Sequence, residues 1–491
     1  LYRPEIDGLR AFALIAVIIN HCSKNALASG FLGVDIFFVI SGFVITASLA
    51  SRTYKNFVDY LGGFYSRRIR RILPTLAVYV ILLAVVIALF NPYPAKSFFY
   101  AQRALLGISN ITFFRTATDY FAESTNLNPY TQTWSLGVEE QFYFVYPILF
   151  WITGFAKKDQ CGYKNLFWWL SGFFIVSLLS FLLVHNINHP AAYFLMPFRF
   201  WEISSGALLY LSIKRKNKLL KYIKNINSDL ILLIISLILF LPSSISLFST
   251  ILIVLLTCIF IYKVNQNSFG YKILTTKPIL YIGKISYSLY LWHWGCLVLV
   301  RWTFGDKFLT NLLAVITALL ISILNFYFIE KPFRYSNFNI KNIRTLGFLL
   351  LYIICIFLPQ GNILNADKYR TIFRKNMFQI GKKISPWENE YYPLNFAKKI
   401  SRCNNEPDSL KFPVGDGNQI CHVFDKNINN RIFVLGDSHA NNHVPSIIKS
   451  VNNSKLPFKY LHNIFLNPFA GRTKDFWTNI RFKHIKQEWD N

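Results

Sequence analysis

The sequence predicts a polytopic α-helical membrane protein followed by a smaller α/β segment. Three observations carry that prediction. The 491 residues are 53% hydrophobic and 17% aromatic, at a mean hydropathy of +0.33 that soluble domains seldom reach. Apolar runs long enough to enter a bilayer recur along roughly the first 360 residues and then stop. The polar remainder holds the short apolar run Ile432–Leu435, the length of a buried strand. The net charge of +28 would suit nucleic acid, but the basic residues gather in short stretches between apolar runs. That is how the cytoplasmic loops of a membrane protein read, so a nucleic-acid partner is set aside and lipid is the expected surrounding.

The apolar runs lie near 8–22, 31–50, 72–90, 97–114, 134–153, 166–184, 192–213, 229–241, 247–262, 279–303, 310–329 and 345–359. The loops at 51–71, with "SRRIRR", and 214–224, with "KRKNKLLKYIK", should both be cytoplasmic. Two loops on one side need an even number of crossings between them, and five runs intervene. The weakest is 97–114, which carries Gln102, Arg103, Ser109 and Asn110. A charge at the bilayer centre costs about 2.5–3.5 kcal/mol on insertion scales, so this run is expected to be interfacial or re-entrant. Eleven crossings remain, with the N-terminus cytoplasmic and the tail after 360 outside. No cleavable signal peptide is expected, because Asp7 and Arg10 interrupt the first run. The start at Leu1 rather than Met predicts that some N-terminal residues are missing.

Ionisable groups inside apolar runs are the functional signal. Arg10 and His21 stand eleven residues apart, almost a whole number of helical turns, so they share one face about 16 Å apart along the axis. Asp7 joins that face; a structural Asp7–Arg10 pair with His21 capping the far end is the alternative. Asp35 lies on the next helix, Glu139 and Glu140 in "TWSLGVEEQFYFVYP", Arg199 and Glu202 one turn apart, and Ser286, Tyr287, Tyr290 and His293 in "ISYSLYLWHW". Together they predict a polar internal chamber. His21 and His293 invite a metal, but no His-x-x-x-His or His-x-x-Glu pair stands on one helix, so none is expected. Arg67, Arg68, Arg70 and Arg71, at the inner mouth of the third helix, would bind a phosphate-bearing donor such as a nucleotide or coenzyme; topology alone would also place arginines there.

Cys22, Cys161, Cys258, Cys296 and Cys355 lie in or near apolar runs and read as packing residues, whereas Cys403 and Cys421 could form a disulfide in an outer tail. There, "RIFVLGDSHANNH" reads as a strand, a tight Gly436-Asp437 turn and Ser438 opening a helix. A serine on such a turn has an exposed hydroxyl beside backbone N–H groups that can hold an oxyanion; an ordinary strand-to-helix turn is the alternative. His443, His462 and His484 are available bases, none at a telling spacing.

The segments "YRPEIDGLRAFALIAVIINH", "GVDIFFVISGFVIT", "RRIRRILP", "TWSLGVEEQFYFVYP" and "SYSLYLWHW" resemble, in order, motifs of the acyltransferase-3 family of bacterial membrane O-acyltransferases, and "VLGDSHA" resembles the first block of an SGNH domain. The resemblance implies a ten-helix acyltransferase domain over 1–335, a linking helix and extension over 336–430, and the N-terminal part of an SGNH domain over 431–491. His21 would be essential to acyl transfer and form a motif with Arg10; either Arg67–Arg70 or Arg68–Arg71 would be the Arg-x-x-Arg motif near acetyl-CoA; Ser438 would be the external nucleophile. Asp35 or Glu139 is expected to orient His21. The Asp-x-x-His that supplies the base of SGNH domains does not follow Ser438 here. The implied activity is transfer of acetyl from cytoplasmic acetyl-CoA to a cell-envelope glycan in the bacterial inner membrane, with lipopolysaccharide O-antigen first and peptidoglycan or exopolysaccharide as alternatives. A glycolipid flippase, or a sensor with a degenerate outer domain, would fit the chamber without CoA chemistry.

Overall fold

Proline and asparagine set several helix starts. Pro4, Pro190, Pro197 and Pro278 stand in first turns, where no N–H is needed. The Asn188 and Asn227 side chains accept backbone N–H groups of the turns they open. The computed structural model describes residues 2–52, 54–90, 95–118, 127–155, 160–215, 226–335 and the strands 399–402, 419–423, 431–436 and 460–465. It divides into two units, Leu1–Ile384 and Ser385–Asn491.

The first unit is helical as described. In order it holds α1 (Pro4–Cys22), α2 (Gly33–Ala50), α3 (Phe57–Phe90), α4 (Ala95–Leu105), α5 (Ser109–Thr118), α6 (Thr133–Ile152), α7 (Gln160–Ile187) and α8 (His189–Phe194). There follow α9 (Met196–Lys214), α10 (Ser228–Ile238), α11 (Ser246–Lys263), α12 (Phe269–Leu274), α13 (Lys277–Lys284), α14 (Ser286–Phe304), α15 (Phe308–Asn325) and α16 (Lys331–Tyr335), the last two joined by a π-helical turn at Phe326–Glu330.

Three boundaries differ from the sequence expectation. The arginine run lies inside α3 rather than in a loop, because arginine is a good helix former and extends the helix toward Phe57. At 34 residues, α3 is about 50 Å long, more than the ~30 Å hydrocarbon core requires. The weak run 97–114 is broken at Gly107, whose φ of +67° suits glycine, into α4 and α5 of 11 and 10 residues. Neither piece is long enough to cross a bilayer alone. The run 279–303 is two helices, α13 and α14, broken at Ile285.

The tightest crossing joins α2 to α9. A methyl added at Gly42 would lie 1.8 Å from the Ile203 carbonyl oxygen, and one at Gly206 would lie 1.9 Å from that of Val39. Backbones meet there directly, as membrane helices do through small residues. The buried Arg199 of α9 reinforces the contact, bonding Asp35 of α2 at 2.8 Å and Glu202 of its own helix at 2.6 Å. Inside α6, Pro147 has no N–H for the Tyr143 carbonyl, and the Tyr65 hydroxyl reaches that carbonyl from α3 at 3.4 Å.

Among the described residues, five helical segments are long and apolar enough by themselves to cross a membrane: Gly30–Ala50, Phe57–Ile87, Cys161–Ile187, Ser243–Lys263 and Phe308–Tyr335. Helices α1, α6, α9 and α14 are shorter, at 19 or 20 residues, yet still long enough to span, and carry the polar side chains described below.

The described part of the second unit is a four-stranded sheet, β1 (Lys399–Arg402), β2 (Gln419–Val423), β3 (Arg431–Gly436) and β4 (Tyr460–Phe465), in the order β1-β2-β4-β3. Its β1–β2 and β2–β4 pairs are antiparallel, and β3–β4 is parallel, with Ile432 opposite Leu461. Strand β3 contains the expected Ile432–Leu435. The turn with Ser438, Cys403 and the run 345–359 lie outside the described residues.

Candidate active site

Helices α1, α2, α3, α6 and α14 surround a cavity of about 100 Å³. Its polar wall is Arg10, Ser41, Arg68, Arg71, Ser135, Glu139, Tyr143, Ser286, Tyr287 and Tyr290; Phe37, Phe38, Ile72, Leu136 and Leu291 are among its apolar lining. The α6 contribution is a stripe: Ser135, Glu139 and Tyr143 recur every fourth residue and so share one face. Glu139 accepts the Ser41 hydroxyl on one oxygen and the Tyr143 hydroxyl on the other, both at 2.7 Å.

Helical rotation turns the two arginine pairs to different sides of α3. Arg68 and Arg71 line the cavity; Arg67 and Arg70 do not. Arg67 reaches the Tyr54 hydroxyl at 3.5 Å, and Arg70 bonds the Ser66 carbonyl at 3.2 Å. The Arg68 guanidinium lies over the Tyr143 ring at 4.7 Å. Among the described residues neither Arg68 nor Arg71 has an ion-pair partner, while Arg10 meets Asp7 at 3.2 Å. Three guanidinium groups against the Glu139 carboxylate leave the cavity wall positive, and partly buried cations without partners favour an anionic guest.

Beside the cavity-lining Tyr290 stands a histidine pair. The Tyr290 hydroxyl meets Ser135 Oγ at 2.7 Å and donates to the Gln132 carbonyl at 3.1 Å. Its ring centre is 5.6 Å from that of His293. His293 is fully buried, and its Nε2 lies 3.1 Å from Nδ1 of the half-buried His21. The two imidazole planes are within 3° of parallel, and Trp294 packs edge-on against His21 at 4.5 Å. The end of α1 is pinned where it presents His21: Arg301 donates to the His21 carbonyl at 2.5 Å and Asn311 to that of Cys22 at 3.1 Å. These are two of the carbonyls a helix C-terminus leaves without partners.

The expected carboxylate orienter of His21 is absent from these contacts. Asp35 is held by Arg199, because a buried carboxylate is drawn to the guanidinium that neutralises it. Glu139 is held by Ser41 and Tyr143, and Glu140, one residue on, is turned about 100° away from Glu139 toward Gly107, where an added methyl would lie 2.5 Å from its Oε2. Glu140 does not line the cavity, and a histidine takes the position the carboxylate was expected to fill. Sequence reasoning missed Ser41, Ser135, Tyr143 and Arg301; the i,i+4 spacing of Ser135, Glu139 and Tyr143 was the available signal for two of them. Among the described residues no group of three metal-ligating side chains stands together.

A family model described as an acyltransferase domain matches residues 3–330. Curated relatives include "Putative O-acetyltransferase SAR0937" of Staphylococcus aureus strain MRSA252, 31% identical over 363 residues, covering 70% of this chain and 59% of the relative. "O-acetyltransferase OatA" of Staphylococcus aureus strain NCTC 8325 is 31% identical over 361 residues, covering 69% and 58%. The chain thus spans about three fifths of the length of the curated relatives it matches. No solved structure matches it. With the ordered motifs of α1, α2, α3, α6 and α14 all inside the matched span, the chain belongs to the acyltransferase-3 family.

Proposed function

We propose that this protein is an integral-membrane O-acetyltransferase that moves an acetyl group from acetyl-CoA to a hydroxyl of a cell-envelope glycan. The observation that carries the reading is one cavity that holds Arg68 and Arg71, which have no ion-pair partner among the described residues, together with Tyr290, whose ring adjoins the His21–His293 pair. In this reading Arg68 and Arg71, with Arg10, hold phosphates of the coenzyme at the cytoplasmic side, and the apolar wall takes the pantetheine arm. The relatives are named for O-acetyl transfer, and the two cited names do not specify lipopolysaccharide. The acceptor in this reading is a glycan hydroxyl, with no preference for O-antigen.

His21 acts as general base. Its free ring nitrogen takes the proton of the attacking hydroxyl as that oxygen bonds to the thioester carbonyl carbon. The carbon–sulfur bond breaks, and the thiolate leaves with the proton that the imidazolium returns. The products are an ester and CoA thiol. Ser438 is the first acceptor outside in this scheme and passes the acetyl on.

Two substitutions test the reading on purified protein in nanodiscs. Arg68→Gln and Arg71→Gln are each expected to weaken acetyl-CoA binding about 10- to 100-fold, the worth of one charge-assisted contact. His21→Ala is expected to bind acetyl-CoA normally and to lose about 10²–10⁴-fold in CoA release. Unchanged binding in both arginine variants would remove the coenzyme site, and transfer surviving in His21→Ala would remove the base. Mass spectrometry of acetylated peptidoglycan and of lipopolysaccharide from expressing cells separates the acceptors.

A further inference from the structure

We propose that His293 is the positioning residue of the acetyl transfer: it fixes the tautomer of His21 so that the lone pair stands on Nε2. This rests on the reading of His21 as the base given above, and goes beyond it by naming what makes His21 basic at one nitrogen and not the other.

The assignment follows by elimination around two hydrogen bonds. His293 Nδ1 lies 3.1 Å from the Leu289 carbonyl oxygen, one turn back on α14. A carbonyl only accepts, so Nδ1 of His293 carries a proton. Its Nε2 faces Nδ1 of His21 at 3.1 Å. If His293 Nε2 also carried a proton, the ring would be a cation that is 0% exposed. Among the described residues no carboxylate bonds either imidazole, and an uncompensated buried cation is costly. His293 is therefore the neutral Nδ1–H form and its Nε2 is an acceptor. The hydrogen bond to it must come from His21 Nδ1–H. A neutral His21 with its proton on Nδ1 has its lone pair on Nε2.

The backbone enforces this relay. Leu289 and His293 are one turn apart on α14, so the acceptor that sets the His293 tautomer is part of the helix itself. The far end of the relay is fixed by the Arg301 contact to the His21 carbonyl and the Trp294 edge against its ring. When Nε2 of His21 takes the proton of the attacking hydroxyl, the Nδ1–H bond to His293 becomes charge-assisted and shortens. A neutral imidazole thus does for His21 what a carboxylate does in the serine-hydrolase triad, holding one tautomer and supporting the imidazolium that forms. The proton goes on to the departing thiolate, and His293 neither gains nor loses one.

The test compares His293→Leu, His293→Gln and His21→Ala in the full chain in nanodiscs. Acetyl-CoA is the probe and water the acceptor, and CoA thiol release is followed with a thiol reagent. A Gln side chain puts its amide oxygen near the position of the imidazole Nε2, so it can accept from His21 Nδ1–H; Leu cannot. His293→Leu is expected to lose about 10²–10³-fold in kcat, within the range of general-base catalysis, with KM for acetyl-CoA within about twofold of the parent. His293→Gln should recover to within about tenfold of the parent. Activity of His293→Leu within about threefold of the parent, while His21→Ala is inactive, overturns the positioning role and leaves the base standing. Equal losses in His293→Leu and His293→Gln also overturn it, because a packing role does not depend on an acceptor atom. Full activity in His21→Ala sinks the underlying reading and this proposal together.

Discussion

The most apolar stretches of α2 and α7 have the same mean hydropathy, yet 72% of that of α2 is buried within the protein and 17% of that of α7. Apolarity admits both to a membrane and says nothing about which of them meets lipid. The difference lies in a few small and polar residues. Along α2, Asp35 bonds Arg199, Ser41 bonds Glu139, Gly42 meets the Ile203 carbonyl and Thr46 bonds Tyr146 at 2.8 Å. Along α7, Gly172 has nothing within 4 Å of where a side chain would start, and Leu179 and Leu183 are exposed. A helix is committed to the interior by the contacts it can make with protein and not with hydrocarbon, since lipid tails are as apolar as leucine.

The comparison can be broken most directly at Arg199. Arg199→Leu leaves Asp35 and Glu202 buried without their counter-charge, and a loss of about 3–5 kcal/mol in stability is expected from thermal unfolding in detergent. A loss under about 1 kcal/mol would mean that the ion cluster does not commit α2 to α9. A matched pair of glycine substitutions sharpens it next. Gly42→Val should cost about 1–3 kcal/mol through enforced separation of α2 and α9, while Gly172→Val on α7 should cost little. The smallest effect belongs to the lipid side: Leu183→Ala, at a residue 70% exposed, should stay within about 0.5 kcal/mol of the parent. A Leu183→Ala loss as large as that of Gly42→Val would erase the distinction between the two helices.

Much of the site was legible because it is written in helical periodicity. The Arg10–His21 spacing, the run holding Glu139, and Tyr290 with His293 all fall on helices that border one cavity. Strand β3 was legible from four apolar residues. The partner of His21 was not. His293 is 272 residues away in the chain, and no periodicity on α1 or α14 says which groups of two helices touch. Sequence reasoning supplied a carboxylate because carboxylates commonly orient histidines, while the available carboxylates were already taken by Arg199, Ser41 and Tyr143. The arginine motif was ambiguous for another reason. Arg67–Arg70 and Arg68–Arg71 have identical spacing, and only the rotation of α3, set by its packing, turns one pair inward. Helices α1, α6, α9 and α14 fail the apolarity criterion because the polar groups that build the chamber and its supports sit on them.

The glycine contact between α2 and α9 bears on how the cavity can respond to its occupant. Val34, Phe37, Phe38, Ser41, Val44 and Ile45 of α2 form one wall, and that helix is seated backbone to backbone on α9 at Gly42 and Gly206 and tied to it by the buried Arg199–Asp35 pair. Such a wall is a fixed ruler. Room for a bulkier guest has to come from the opposite side, where α3 and α14 contribute Arg68, Arg71, Ile72 and Leu291. On the proposed reading of the cavity as the donor site, the size of the donor is read against α2, and variants that widen the tolerance belong on α3 and α14.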